Sequence, residues 1–297
     1  MPELRALASY YGAKGGRLWA AEVDGRLVGM IATCPLEPSV ASGAWEICRV
    51  YVDPALHGAG LGHVLLDLAE SHAIDAGATR LVVWTDTRFD RAHRFYEKRS
   101  YVRSGPVRVL HDISNSLEYA YAKPVDGIEV LDAAGAASAE PRLSAILIAC
   151  VAEGAGVHFL PPLAPETARD FWREAARDVA MGRKVLLAGW VGGVLAGTVT
   201  LVFAQAQAQA HRADVEKLLA DPAVRGRGLA RRLMQRVEAE AHAARRSLLL
   251  LETRAGDPAE ALYRAMGWNE VGLIPGYALK PDGSYDDTFV FWKTPGS

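Results

Sequence analysis

Three segments of this chain return at spacings that differ by a single residue, and that constrains its fold more than any other feature, because near-constant register marks a duplicated unit. AEVDGRLVGMIA (21–32) returns in AGWVGGVLAGTV (188–199), with Gly25 over Gly193 and Gly29 over Gly197. VDPALHGAGLG (52–62) returns as ADPAVRGRGLA (220–230), with Pro54 over Pro222, Gly58 over Gly226 and Gly60 over Gly228. These pairs lie 168 residues apart, and DRAHRFYEKRSY (90–101) returns as DPAEALYRAMGW (257–268) at a spacing of 167. A fold for this chain must therefore be built twice within 297 residues, at about 150 residues per domain.

The unit reads as a hairpin, strand, helix, strand, helix and two strands. RLWAAEV and RLVGMIATC are β-rich runs joined at Asp24–Gly25, a hairpin signal. WEICRVYV then runs to Asp53–Pro54, and a glycine-rich turn leads into a helix from about Leu61 to Ala76, with Leu61, Leu65, Leu66 and Ala69 on one face. LVVWT (81–85) is a short apolar strand of the buried kind. A helix at 90–99 follows, then two strands ending in LEYAYAKP. In the second copy, Asp257-Pro258-Ala259-Glu260 combines an N-cap, a proline at the first helical position and a glutamate three residues after the cap. This order predicts a mixed sheet with helices on its faces.

The copies are unequal. The second opens with a strand (GIEVLDA, 127–133) and helices near 140–153 and 165–182, for which the first copy has no counterpart. AKPVDG (122–127) is the natural join, which gives domains at 1–124 and 125–297. Either the first copy is degenerate or its native start lies further upstream. With 50% hydrophobic and 23% charged residues, the composition is that of a packed globular protein. Lysine and arginine total 33 against 35 acids, which argues against a globally basic nucleic-acid binder. Three cysteines without a C-x-x-C pair suit a reducing compartment. The start MPELRALASYY lacks a signal-peptide layout, and no apolar run reads as a membrane span of about 18 residues. The expected location is cytoplasmic, with no membrane or nucleic-acid partner.

The chemistry gathers at the glycine turn. Arg225-Gly226-Arg227-Gly228-Leu229-Ala230 stands between a strand and a long amphipathic helix. Glycines let main-chain amides approach a ligand closely, and a helix start presents free donors and a positive dipole end to an anion. Arg225, Arg227, Arg231 and Arg232 crowd that end, against the helix's own electrostatic preference. The conflict resolves if a polyanion such as a pyrophosphate sits there; the plain alternative is a strand–turn–helix with a solvated arginine face. No G-x-x-x-x-G-K-[ST], H-E-x-x-H or G-x-S-x-G occurs, and His63 stands where a dinucleotide fingerprint needs its last glycine.

These residues resemble the GNAT N-acetyltransferase superfamily, whose acetyl-CoA signature is [R/Q]-x-x-G-x-[G/A] after a strand, with a tyrosine on a downstream helix. RGRGLA (225–230) with Tyr263 matches it, and HGAGLG (57–62) with Tyr96 matches except that His57 replaces the arginine or glutamine. The resemblance implies an α/β (α+β) fold in tandem, each copy a mixed, mainly antiparallel twisted sheet flanked by helices. Segments 211–238, 249–268 and 271–294 are further similar to the tabtoxin-resistance acetyltransferases, which implies a small-molecule amine acceptor. That similarity carries Asp214, Glu252 and Tyr263 as catalytic positions, although the relatives hold Glu and Asp at the first two. It implies direct attack by the amine on acetyl-CoA in a ternary complex, with Asp214 or Glu252 as base and the Tyr263 hydroxyl as donor to the leaving thiolate. The cofactor contacts it implies are Leu218, Leu219 and Ala220 of the strand and Arg225, Gly226, Arg227, Gly228, Leu229, Ala230 and Arg231 of the turn. No metal is expected.

A second cofactor site in the first copy would use Val50, Tyr51, Val52, His57, Gly58, Ala59, Gly60, Leu61 and Gly62, with Glu46 and Tyr96. There Glu46 stands eight residues before Pro54, as Asp214 does before Pro222, but Thr85 replaces Glu252. The expected arrangement is a catalytic second half and a degenerate first half packed together as an intrachain pseudo-dimer, with a homodimer as the other option. The regions 154–159 and 276–277 are candidate acceptor contacts. The competing readings are a non-catalytic acyl-CoA-binding or interaction module, and a nucleic-acid site on RGRGLARR.

Overall fold

The computed structural model describes residues 6–37, 43–111, 113 and 115–296. The chain divides into two compact units, 1–126 and 127–297. The first contains α1 (Leu7–Ala13), β1 (Arg17–Val23), β2 (Arg26–Pro35), β3 (Ala44–Val52), α2 (Leu61–Asp75), β4 (Arg80–Asp86), α3 (Asp90–Lys98), β5 (Val102–Arg103), β6 (Arg108–Val109) and β7 (Leu117–Pro124). Its sheet runs β1-β2-β3-β4-β7-β5, with β6 also on β7. The second contains β8 (Gly127–Leu131), α4 (Ala133–Ala152), α5 (Pro165–Ala180), β9 (Lys184–Val191), β10 (Val194–Phe203), β11 (Arg212–Ala220), α6 (Leu229–Ala243), β12 (Leu248–Arg254), α7 (Pro258–Ala265), β13 (Asn269–Leu279) and β14 (Tyr285–Lys293). Its order, β8-β9-β10-β11-β12-β14-β13, is that of the first sheet with β8 added at one edge. The tandem mixed sheets expected from the repeat are present, and each holds one parallel pair, β3 with β4 and β11 with β12.

The repeated glycines have a packing cause. Helix α6 lays Leu229, Leu233, Met234, Val237 and Ala241 into the core of its unit, and its first turn comes down on β10. A Cβ at Gly197 would lie 2.7 Å from the Leu219 carbonyl oxygen and 2.8 Å from Leu229 Cδ2. The equivalent Gly29 has Tyr51 O and Leu65 Cδ1 each 3.1 Å from where its Cβ would be. A side chain at either position would lift the helix that follows the glycine turn.

Three sequence expectations need correction. Helix α4 starts at Ala133 rather than near 140: the Asp132 carboxylate caps it by accepting from the Gly135 amide at 2.7 Å. Its first two turns, AAGAASA, are small residues that leave no apolar stripe for periodicity to reveal. At 20 residues and a mean hydropathy of 1.2, α4 is also long and apolar enough to cross a membrane, which the sequence reading had not found. Ten of its residues are buried within its unit and its main neighbour is α5, so it has the packing of a core helix. In the first copy the next-to-last strand is broken into β5 and β6 around Gly105–Pro106, since proline removes a ladder donor.

Both units also share a buried ion pair that no motif announced. Lys293 Nζ lies 2.7 Å from Glu238 Oε2 and donates to the Met266 carbonyl at 2.7 Å, while Trp268 Nε1 donates to Glu238 Oε1 at 2.9 Å. In the first unit Lys123 pairs with Glu70 at 2.9 Å and donates to Arg99 O, and the Tyr101 hydroxyl donates to Glu70. Each pair ties the helix after the glycine turn to the strand beside the second helix. Removing one member leaves the other charge buried alone, which costs about 3–5 kcal/mol. Lys293→Met should therefore lower the unfolding free energy read from urea denaturation by that much, and Glu238→Gln/Lys293→Met should recover a large part. A loss under about 1 kcal/mol for the single variant would show that the pair does not pin the fold.

Candidate functional site

In the second unit, the parallel strands β11 and β12 are hydrogen-bonded only where 212–214 meet 248–250. Beyond Asp214 they part. Strand β11 stays paired with β10 on its other side, but with a bulge: Thr198 pairs with Leu219 and Thr200 with Glu216, so Lys217 and Leu218 face the single residue Val199. Lys217 takes a φ of 52° there, and bulges bend and twist the strand that carries them. The parting leaves main-chain groups on one side of 215–220 without a sheet partner and opens a cleft of about 920 Å³.

The predicted residues converge on this cleft. Asp214, Glu252 and Tyr263 line it, together with 218–220, 225, 226 and 228–231. Arg227 of the same turn does not. Gly226 and Gly228 have φ of 80° and 72°, values that favour glycine, and an added Cβ at either would meet nothing within 4 Å. Gly228 caps α6 without a side-chain acceptor, and among the described residues the amides of 226–231 donate to no backbone carbonyl. A nest of free amides at a helix start fits a diphosphate. Arg225 extends this end and pairs with Glu153, just past α4.

At the other end the two acids face each other across the parting. Burial raises the Asp214 carboxyl above the ordinary aspartate range; Arg212, 3.3 Å away, offsets part of this, and the charges of Glu216 and Glu252 add to it. Glu252 accepts from the Tyr277 hydroxyl at 2.7 Å and lies 3.8 Å from His158 Nε2, so the 154–159 and 276–277 segments both reach it. Tyr263 is 6% exposed. Burial raises its hydroxyl, which has no hydrogen-bond partner among the described residues, while its ring packs near Trp268 and Phe291. An acid with raised proton affinity and a buried neutral hydroxyl lining one cleft suit proton transfer in both directions. Glu153, Arg212, His158 and Lys217 were not singled out individually by the sequence. Only Lys217 had a signal there: it stands 168 residues after Arg49, the other left-handed residue at a strand bulge.

The first unit repeats the frame with different contents. Strands β3 and β4 pair over 44–47 and then part, and Val50, Tyr51 and Val52 lie beyond that point. Gly58 and Gly60 have φ of 91° and 88°, with Ala59 between them and Leu61 and Gly62 opening α2. His57, however, is tied down: Nε2 donates to Val52 O at 3.1 Å and Nδ1 accepts from Arg91 at 2.9 Å. Both ring nitrogens are engaged within the protein. Burial raises the Glu46 carboxyl, and Tyr96 is buried within its core cluster. Arg49 donates to the Tyr11 hydroxyl of α1 at 3.2 Å.

Comparison with known proteins gives matches of one kind. The sequence profile of the acetyltransferase (GNAT) family matches residues 2–101 and 157–268. An uncharacterised N-acetyltransferase from the hisH-hisA intergenic region of Azospirillum brasilense is 34% identical over 106 residues, which are 35% of this chain and 61% of that protein. The match thus spans less than two thirds of that relative's length. Among solved structures, an N-acetyltransferase from Staphylococcus aureus Mu50 is 18% identical with a TM-score of 0.48, covering 57% of this chain and 98% of its own. A putative acetyltransferase from Salmonella typhimurium, yncA, solved with acetyl-CoA, is 18% identical with a TM-score of 0.49, covering 58% and 95%.

The Asp214 carboxyl carries a stability prediction. Its folded-state proton affinity exceeds the unfolded one, so the stability it contributes is full below the ordinary aspartate pKa and is lost as pH rises through the folded value. Asp214→Asn should therefore be the more stable protein near neutral pH. The gap should close as pH approaches about 4. Urea midpoints at the two pH values check this, and a gap independent of pH would refute it.

Proposed function

The chain belongs to the acetyltransferase (GNAT) family, and from that premise we propose that its second unit transfers the acetyl group of acetyl-CoA to the primary amine of a small molecule. The observation that carries this reading is the single cleft that joins an anion-fitting end, at residues 225–231, to an acid-bearing end at Asp214 and Glu252. When bound, acetyl-CoA supplies the acetyl thioester. The amides of 226–231 and the Arg225 guanidinium hold its diphosphate, with Arg225 exchanging Glu153 for the new anion. The unpaired main-chain groups of β11 around 218–220 orient the thioester arm, and an N–H there meets negative charge as it develops on the acetyl oxygen. Asp214, with Glu252 beside it, takes a proton from the ammonium acceptor, since a protonated amine has no lone pair to attack with. As the C–S bond breaks, Tyr263 gives its hydroxyl proton to the departing sulfur, and the second proton that the new amide nitrogen sheds restores the tyrosine. The amine attacks directly, with both substrates bound.

The first unit, on this reading, is a degenerate copy. Thr85 stands where Glu252 does, His57 spends both ring nitrogens on the protein, and Tyr11 occupies the neighbourhood of the bulge. These observations support one working site per chain.

Substitutions separate this from a module that binds acyl-CoA without turning it over. Tyr263→Phe should lower kcat by about 10²-fold, within the range of general acid catalysis, with the KM for acetyl-CoA within about threefold. Arg225→Glu should weaken coenzyme A binding at least tenfold by calorimetry, a change of about 1.4 kcal/mol, whereas His57→Glu should change turnover less than twofold. If Tyr263→Phe and Asp214→Ala alter stability and nothing else, the enzyme reading fails; equal losses at Arg225 and His57 would restore the first unit as a site.

A further inference from the structure

The strand bulge that parts β11 from its neighbour also places a cation where it has no partner. Lys217 is 9% exposed and lines the cleft. Among the described residues its ammonium makes no hydrogen bond and no ion pair. Its neighbours are the rings of Phe159 and Phe171, with centroids 5.9 and 5.4 Å from Nζ. An aromatic face attracts a cation but accepts none of its three N–H donors as a carboxylate would. Close by, Lys184 adds a second positive charge 5.7 Å from the Phe171 centroid; its own carboxylate, Asp178, is 3.8 Å away. Burial lowers the Lys217 pKa; the charges of Glu216 and Glu252 oppose this in part without pairing with the ammonium, and Lys184 adds to the lowering. The first unit shows what a satisfied bulge cation looks like, since Arg49 at the same position donates to Tyr11. A buried, unpaired charge is costly, and the group that relieves it here would have to come through the cleft.

We propose that Lys217 receives a carboxylate of the acceptor, so that the substrate class is the amino acids: the amine is directed to Asp214 and Glu252, and the acid group of the same molecule to Lys217. The inference rests on the acetyl-transfer reading and adds the substrate's second functional group. The cleft presents negative charge at 214 and 252 and positive charge at 217, three residues along the same strand. A zwitterion complements both. A simple amine leaves Lys217 unpaired, and a polyamine adds positive charge to it. Lys217 is a specificity residue on this view, with no part in the proton transfers.

The test uses the full chain with acetyl-CoA, following release of the coenzyme A thiol. The probes are the proteinogenic amino acids, the same compounds as methyl esters, and carboxylate-free amines such as tyramine and spermidine. The wild-type protein should favour the best amino acid over its methyl ester by at least tenfold in kcat/KM, mainly through KM. Lys217→Met should bring that ratio close to one, and Lys217→Arg should restore part of it. A lysine needed only for packing would lower acid and ester alike and leave the ratio unchanged. The wild-type ratio decides the matter even if Lys217→Met fails to fold. Equal use of acid and ester, an undiminished ratio in Lys217→Met, or acetylation of carboxylate-free amines alone each overturn the inference. So does a protein that coenzyme A stabilises but that acetylates no amine in the panel. If coenzyme A gives no rise in Tm and no amine releases thiol, it is the acetyl-transfer reading that falls.

Discussion

Everything at the site depends on two parallel strands that pair for three residues and then separate. A parallel pair is ordinarily buried and continuous, so leaving it early sacrifices hydrogen bonds in the middle of a sheet. Strand β11 tolerates this because β10 still holds its other side through the bulge at Lys217. The helix that follows is seated by Gly197, where no side chain fits. Beneath, the Glu238–Lys293 pair fastens α6 to β14, and β14 in turn pairs with β12 along 249–254. The two strands cannot close without displacing elements that are pinned from below. The cleft is thus held open by the fold itself before any ligand arrives, and that preorganisation is what electrostatic catalysis requires.

The same frame occurs twice, which separates scaffold from chemistry within one chain. The bulge, the left-handed residue on it, the paired glycines and the buried glutamate–lysine pair are common to both units. They do architectural work. What differs is the set of groups aimed into the parting: Arg225 against a tethered His57, Glu252 against Thr85, and an unpaired Lys217 against a satisfied Arg49. The first unit also begins with the seven-residue α1 where the second has β8, α4 and α5, and it is the turn after α4 that brings Glu153 and His158 to the cleft.

Much of this was legible in the sequence, for reasons that can be named. The repeat fixed the element order, because glycines and prolines at turns cannot drift without breaking the turn. Asp257-Pro258-Ala259-Glu260 announced α7, and its cap forms as expected: Asp257 accepts from the Ala259 amide, and Glu260 from Gly256. Asp214 and Glu252 could be placed on neighbouring strands by counting from Pro222 and by family resemblance. What stayed hidden depends on distance in space. The Arg225–Glu153 pair joins residues 72 apart, and Glu238–Lys293 joins residues 55 apart; neither leaves a local pattern. The start of α4 was missed because small residues pack helices closely without producing an amphipathic stripe. A bulge leaves no pattern in a single strand, so the lysine it turns into the cleft had only its register with Arg49 to mark it.

The charges at the site are better explained as a set than one at a time. Asp214 is held with raised proton affinity by burial and by two neighbouring acids; Arg225 is matched by Glu153; Lys217 feels the charges of Glu216 and Glu252 but has no hydrogen bond or ion pair among the described residues. A protein selected only for stability would remove such groups, since replacing unpaired buried charges by apolar side chains is usually neutral or favourable. They line one cleft, in the order that the proposed reading gives to diphosphate, thioester, amine and acid. Each imbalance has the sign opposite to the part of a substrate that would lie against it, so the free energy withheld from folding is available to binding. That complementarity turns a run of local electrostatic defects into a single design. In the first unit the counterparts of Arg225 and Lys217, His57 and Arg49, are partnered within the protein, while Glu46 keeps the raised proton affinity of Asp214.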